Sequence, residues 1–146
     1  MLGKLFGKKA NQVKAEMAKV ESRDLMQAIV GGSLLVASAD GEISNDELDT
    51  LEKSIAANPN MAPFGSEIHQ TMSRFKEMLD VGFRLGRLKI MREIEDIKNN
   101  PQEAEECFVN CLVIAESDGT VDEKELQVLK DIGGVLGVRL SDYGLA

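Results

Sequence analysis

A chain of 146 residues, 43% of them apolar, is long enough to bury one core without staples, and its two cysteines make no disulfide framework. The formal charge of −8 is unevenly spread: residues 1–23 carry six Lys or Arg against two Glu, whereas residues 24–146 carry eleven against twenty-three acids, an anionic body that repels nucleic-acid phosphate and attracts cations. The one long uncharged stretch, Leu25 to Ala39, is shorter than the roughly 20 residues needed to cross a bilayer, and the N-terminus lacks the apolar run of a secretory signal, so the expected location is cytoplasmic.

Residues 1–22 read as a basic amphipathic segment ahead of a helical domain over 23–146. Leu2, Leu5, Phe6, Val13, Met17 and Val20 recur at near-helical steps, with Lys4, Lys8, Lys9, Lys14 and Lys19 between them. Such a segment lies on anionic lipid or docks on an acidic surface, giving peripheral membrane contact. Read structurally, it is a terminal helix covering part of the core. Asp24 is expected to cap the next helix, which runs to about Ser38 and is apolar nearly all round, the mark of a central helix. Gly31 and Gly32 each cost about 1 kcal/mol inside a helix relative to alanine, which close approach of a crossing helix would offset.

A helix from Ser44 turns Leu48, Leu51 and Ile55 inward, and the proline-rich loop from Asn58 to Gly65 follows it. Two more helices span about Ser66–Leu79, with Ile68, Met72, Phe75 and Leu79 on one face, and about Val81–Lys98, with Phe83, Leu85, Leu88, Ile90, Met91, Ile94 and Ile97. Asp80-Val81-Gly82 bends the chain or ends a helix between them. Asn100 is a good N-cap with Pro101 at the first helical position, and Cys107, Phe108, Cys111, Leu112, Ile114 and Ala115 supply the buried face of that helix. After a last helix and Gly137, the tail is expected to make one short turn against the body. No strand alternation occurs, so the chain is expected to be all-α, a single globular domain of about seven helices.

One stretch occurs twice. Asp40, Gly41, Glu47, Leu48 and Leu51 recur in register as Asp118, Gly119, Glu125, Leu126 and Leu129, so the domain contains an internally duplicated helix-loop-helix. In each copy an apolar helix runs into Asp-Gly, where glycine accepts the positive φ required just past a helix C-terminus. A buried Ile43 or Val121 follows. Ser44 with Glu47, and Asp122 with Glu125, then stand at capping-box spacing and start the second helix.

The paired loops Ala39-Asp40-Gly41 and Ser117-Asp118-Gly119, the Asn100-Pro101-Gln102-Glu103-Ala104 helix entry and the Ser141-Asp142-Tyr143-Gly144-Leu145 ending resemble the TerB family of bacterial tellurite-resistance proteins over Asp24 to Leu145. The basic amphipathic start is family-like too. The resemblance implies a seven-helix domain with internal pseudo-twofold character. It also implies a role in resisting tellurite and related stress beside the membrane protein TerC and calcium-binding TerD-type proteins, with metal binding at the acidic loops. It supplies no reaction.

The acidic loops admit two readings. With Gly41 and Gly119 laid on the sixth position of an EF-hand loop, Asp40 and Asp118 fall on the fifth and Glu47 and Glu125 on the twelfth, but the first position is Val36 or Ile114, so a full calcium-wrapping loop is not encoded. A half-site of Asp40, Glu42 and Glu47, or of Glu116, Asp118, Asp122 and Glu125, can still hold calcium or another divalent ion with water completing the shell, more tightly in the second loop, which has more acids. Alternatively the same residues only stop and cap helices. Cys107 and Cys111 supply thiols, but their positions four apart on a helix disfavour a bridge and free cysteines are usually core residues. His69 is expected to be a solvated side chain, and no enzyme motif is present. The expected function is therefore a non-enzymatic, cytosolic, acidic metal-binding or scaffold module that works with TerC-like and TerD-like proteins and not with nucleic acid. The alternative is a structural adaptor without a metal site that docks to the membrane, or to a membrane protein, through residues 1–22.

Overall fold

A computed structural model describes residues 23–117 and 119–145. The expected N-terminal segment 1–22 and Asp118 lie outside the described residues. Among the described residues there are six α-helices and no strand: α1 (Arg23–Ala37), α2 (Asn45–Ala56), α3 (Ser66–Val81), α4 (Phe83–Glu95), α5 (Pro101–Glu116) and α6 (Glu123–Leu136). Short 3₁₀ turns occupy Ala62–Phe64 and Leu140–Tyr143.

The apolar character of α1 has the expected cause. Every residue from Leu25 to Val36 except Gln27 is buried, and α1 packs against each of the other five helices. The two glycines offset their helix cost by close approach. A Cβ on Gly31 would stand 2.7 Å from Ile90 Cγ2 of α4, and one on Gly32 would stand 2.6 Å from Cys111 Sγ of α5. Both distances are shorter than any real carbon contact, so only glycine lets α4 and α5 settle onto the central helix.

Leu51 and Ile55 of α2 are buried as their periodicity requires, and so are their counterparts Leu129 and Ile132 of α6. Ile43, Val121 and Leu48 are half-buried and pack against the core, so the expected burial of the two β-branched loop residues is only partial. The corner after Asp80 ends a helix: α3 stops at Val81, and α4 starts after an extended Gly82. On α4 the inward face is Gly86, Ile90 and Ile94, continued by Ile97 beyond the helix. Phe83, Leu85 and Leu88, which the apolar pattern had placed with them, are exposed instead.

Asn100 Oδ1 accepts from Glu103 N–H at 3.2 Å, ahead of Pro101, as expected. The tail folds back, and Tyr143 lies on Phe108 with ring centroids 5.0 Å apart. The loop between the copies is pinned to α5 by amides. Asn58 Nδ2 donates to Asn110 Oδ1 at 3.1 Å, and Asn60 Nδ2 donates to Glu106 Oε1 at 2.9 Å.

Candidate functional site

The two acidic corners are built alike. In the first, Ser38 N–H still bonds to the Leu34 carbonyl at 2.9 Å, and the chain then closes a reverse turn in which Gly41 N–H donates to Ser38 C=O at 2.9 Å. In the second, Gly119 N–H donates to Glu116 C=O at the same 2.9 Å. Gly41 has φ +110° and Gly119 φ +106°, a region that side chains avoid. Ser44 (φ −73°, ψ 162°) and Asp122 (φ −79°, ψ 172°) follow as N-caps with nearly the same torsions. This matched backbone is the physical content of the duplication.

The glycines do a slightly different task from the one expected. Helix α1 ends at Ala37 and α5 at Glu116, so each glycine closes a turn beyond the helix and is not its first non-helical residue. The last carbonyls are taken by serine hydroxyls, Ser38 Oγ to Leu34 O at 2.5 Å and Ser117 Oγ to Ile114 O at 2.7 Å. Asp40 is therefore an exposed turn residue, three positions past the last residue of α1.

Both capping boxes are complete. Ser44 Oγ accepts from Glu47 N–H at 3.1 Å while Glu47 Oε1 accepts from Ser44 N–H at 3.3 Å. Asp122 Oδ1 accepts from Glu125 N–H at 2.8 Å while Glu125 Oε1 accepts from Asp122 N–H at 3.1 Å. Three of the seven candidate metal ligands, Glu47, Asp122 and Glu125, thus each give one carboxylate oxygen to a helix N-terminus, where the dipole also favours their charge. Asp40, Glu42 and Glu116 are exposed. Among the described residues no three His, Cys, Asp or Glu side chains stand together as a metal cluster. Asp118, central to the second set, is not among them.

A hollow of about 200 Å³ opens beside the first corner, bounded by Glu42 and Ile43 on the loop and by Leu79, Asp80 and Phe83 across from it. Lys76 of α3 lines the same hollow and pairs with Asp80. A cationic side chain is thus already supplied at this corner. Sequence reasoning passed over Lys76, and its only signal was the four-residue spacing to Asp80.

Cys107 and Cys111 are fully buried, as core residues are. A hydrogen bond with Cys111, and then burial, hold the Cys107 thiol well above its ordinary pKa, so it stays protonated and unreactive. His69 is exposed, as expected, and its Nδ1 lies 2.5 Å from Glu52 Oε1. On the far side of the α3–α4 corner, a groove of about 890 Å³ runs between α4 and α6 with an apolar floor and cationic edges. Sequence periodicity missed it because it assigned Phe83 and Leu88 to the core.

The family model described as tellurite resistance protein TerB matches residues 26–146. The chain belongs to the TerB family. The match spans α1 to the tail, so both corners fall inside the TerB domain and all but the first 25 residues are covered. No curated protein and no solved structure matches the chain significantly. Among the described residues of this TerB domain, no helix is long and apolar enough to cross a membrane.

Proposed function

We propose that this TerB-family chain is a non-enzymatic adaptor of the tellurite-resistance system, a rigid helical body that works by docking to membrane-associated partners of TerC and TerD type. The observation that carries the reading is the pair of completed capping boxes. Carboxylates that could have wrapped an ion are bonded to the backbone N–H groups of their own helices, which leaves the acidic edge as a charged surface suited to a basic partner face. The basic segment 1–22 adds a second address, an anionic lipid surface.

One observation favours a second reading, in which the corners take calcium or another divalent ion. Asp40, Glu42 and Glu116 stand exposed beside two glycine turns of matching geometry, and such open half-sites bind hard cations weakly with water in the shell. Thermal unfolding at constant ionic strength separates the two, because a site-bound ion raises the midpoint by mass action. The adaptor reading expects a midpoint indifferent to millimolar calcium. It also expects flotation of the full chain with phosphatidylglycerol vesicles, lost on deletion of residues 1–22 while the melt is unchanged. A calcium-dependent rise that Asp118→Asn abolishes would overturn it in favour of the cation site.

A further inference from the structure

Five large apolar side chains are exposed among the described residues, and four of them, Val81, Phe83, Leu85 and Leu88, fall within eight residues at the α3–α4 corner. Val81 and Leu85 line a separate hollow between α3 and α4, whereas Phe83, 43% exposed, and Leu88, 47% exposed, line the groove between α4 and α6. Scattered surface leucines need no explanation, but a cluster that adjoins a groove marks a contact surface. The groove between α4 and α6 has half-buried Met91 and Val135 at its floor, with exposed Phe83 and Leu88 beside them. Gly134 makes its α6 wall smooth, since a Cβ there would meet nothing within 4 Å. Arg87 of α4 pairs with Asp131 of α6, which also accepts from Gln127 at 3.1 Å, so the two walls are tied together.

The charge of this face is opposite to that of the body. Arg84, Arg87 and Lys130 line the groove against one acid, Asp131, within a body, residues 24–146, whose totals are eleven Lys or Arg against twenty-three acids. Arg84 on one wall and Lys130 on the other form no ion pair among the described residues.

We propose that the α4–α6 groove receives an acidic amphipathic helix of a partner protein. A trough between two helices is the shape into which the ridge of a third helix packs, and an apolar floor with cationic edges asks for an apolar stripe flanked by carboxylates. A lipid surface matches the charge but not the shape: Met91 and Val135 are half-buried in the floor, so a flat bilayer would meet the edges and leave the floor unfilled. The chain's own segment 1–22 is basic and has the wrong sign for these walls. The proposal rests on the adaptor reading, for which it names a partner class, yet the two fail separately, because flotation through residues 1–22 does not involve the groove.

The test uses a synthetic helical peptide of about 18 residues, roughly 27 Å long, with leucines at three- and four-residue steps and flanking glutamates, titrated into the full-length ¹⁵N-labelled chain. Chemical-shift changes are expected over residues 83–91 and 127–135, and a lysine-flanked peptide of the same apolar face should bind about tenfold more weakly at low salt. In the double variant Arg84→Glu/Lys130→Glu the preference should invert, and Leu88→Gln should weaken both peptides. These side chains are exposed, and an unchanged melting midpoint confirms that the variants fold. The proposal is overturned if the glutamate peptide leaves groove resonances unmoved at millimolar concentration, or if both peptides bind alike. It is equally overturned, in favour of lipid, if the double variant abolishes flotation of the full chain with phosphatidylglycerol vesicles.

Discussion

Replacing Gly86 by alanine measures how closely α3 and α4 are drawn together around the Asp80–Gly82 corner. A Cβ at Gly86 would stand 2.6 Å from the Met78 carbonyl oxygen, 2.7 Å from its carbonyl carbon and 2.9 Å from Leu79 N. Non-bonded heavy atoms settle at about 3.5 Å, so the helices must part by roughly 0.6–0.9 Å. The obstructing atoms are backbone and cannot rotate away, which puts the overpacking cost near the top of its usual range, about 2–3 kcal/mol. Alanine recovers about 1 kcal/mol of helix propensity. The net loss is about 1–2 kcal/mol, which for a chain of this size lowers the melting midpoint by roughly 2–8 °C.

The control is Gly134→Ala, the same chemical change within α6, where the new methyl meets nothing within 4 Å. There only the propensity gain operates, and the midpoint should rise, by about 0.5–1 kcal/mol in stability. Urea and thermal melts followed by far-UV circular dichroism, with unchanged m values, read both. If Gly86→Ala is as stable as the parent, or the two variants shift in the same direction, the close-approach account of the α3–α4 corner is wrong.

Ser44→Ala and Asp122→Ala should each cost about 1 kcal/mol in urea unfolding, because each removes the acceptor for one helix N-terminal N–H, and markedly unequal losses would contradict the equivalence of the two corners. Asn58→Ala removes the bond to Asn110 and the one that Asn58 Oδ1 accepts from Asn60 N–H at 3.0 Å; it should cost about 1–2 kcal/mol and speed amide exchange across residues 57–65, which hydrogen-exchange mass spectrometry would detect. The raised pKa of Cys107 makes stability depend on alkaline pH. The folded chain keeps a proton that the unfolded thiol releases near about pH 8.5, so this contribution is complete below that pH and is lost as pH rises towards the folded value. The urea midpoint should therefore fall between about pH 8 and 9.5, and Cys107→Ala should flatten that slope; a slope unaltered by the substitution would refute the assignment.

Features set within one helical turn could be read from residue order alone. The capping pairs Ser44/Glu47 and Asp122/Glu125, the Asn100-Pro101 start and the apolar circumference of α1 all depend on spacings of three or four residues, and each was found where the pattern put it. The cost of Gly31 and Gly32 was legible too, together with the inference that something must cross there. Other features needed residues distant in the chain to be brought together. Helix α4 has two stripes of apolar residues at helical spacing, and only its packing on α1, with Gly86 admitting the α3 backbone, turns Ile90 and Ile94 inward and leaves Leu85 and Leu88 in water. The Lys76 ammonium beside the first acidic corner, the Asn58–Asn110 clasp and the groove between α4 and α6 were invisible for the same reason. Helical periodicity says that a face is apolar, but whether a neighbouring helix or solvent covers that face depends on how the whole chain packs.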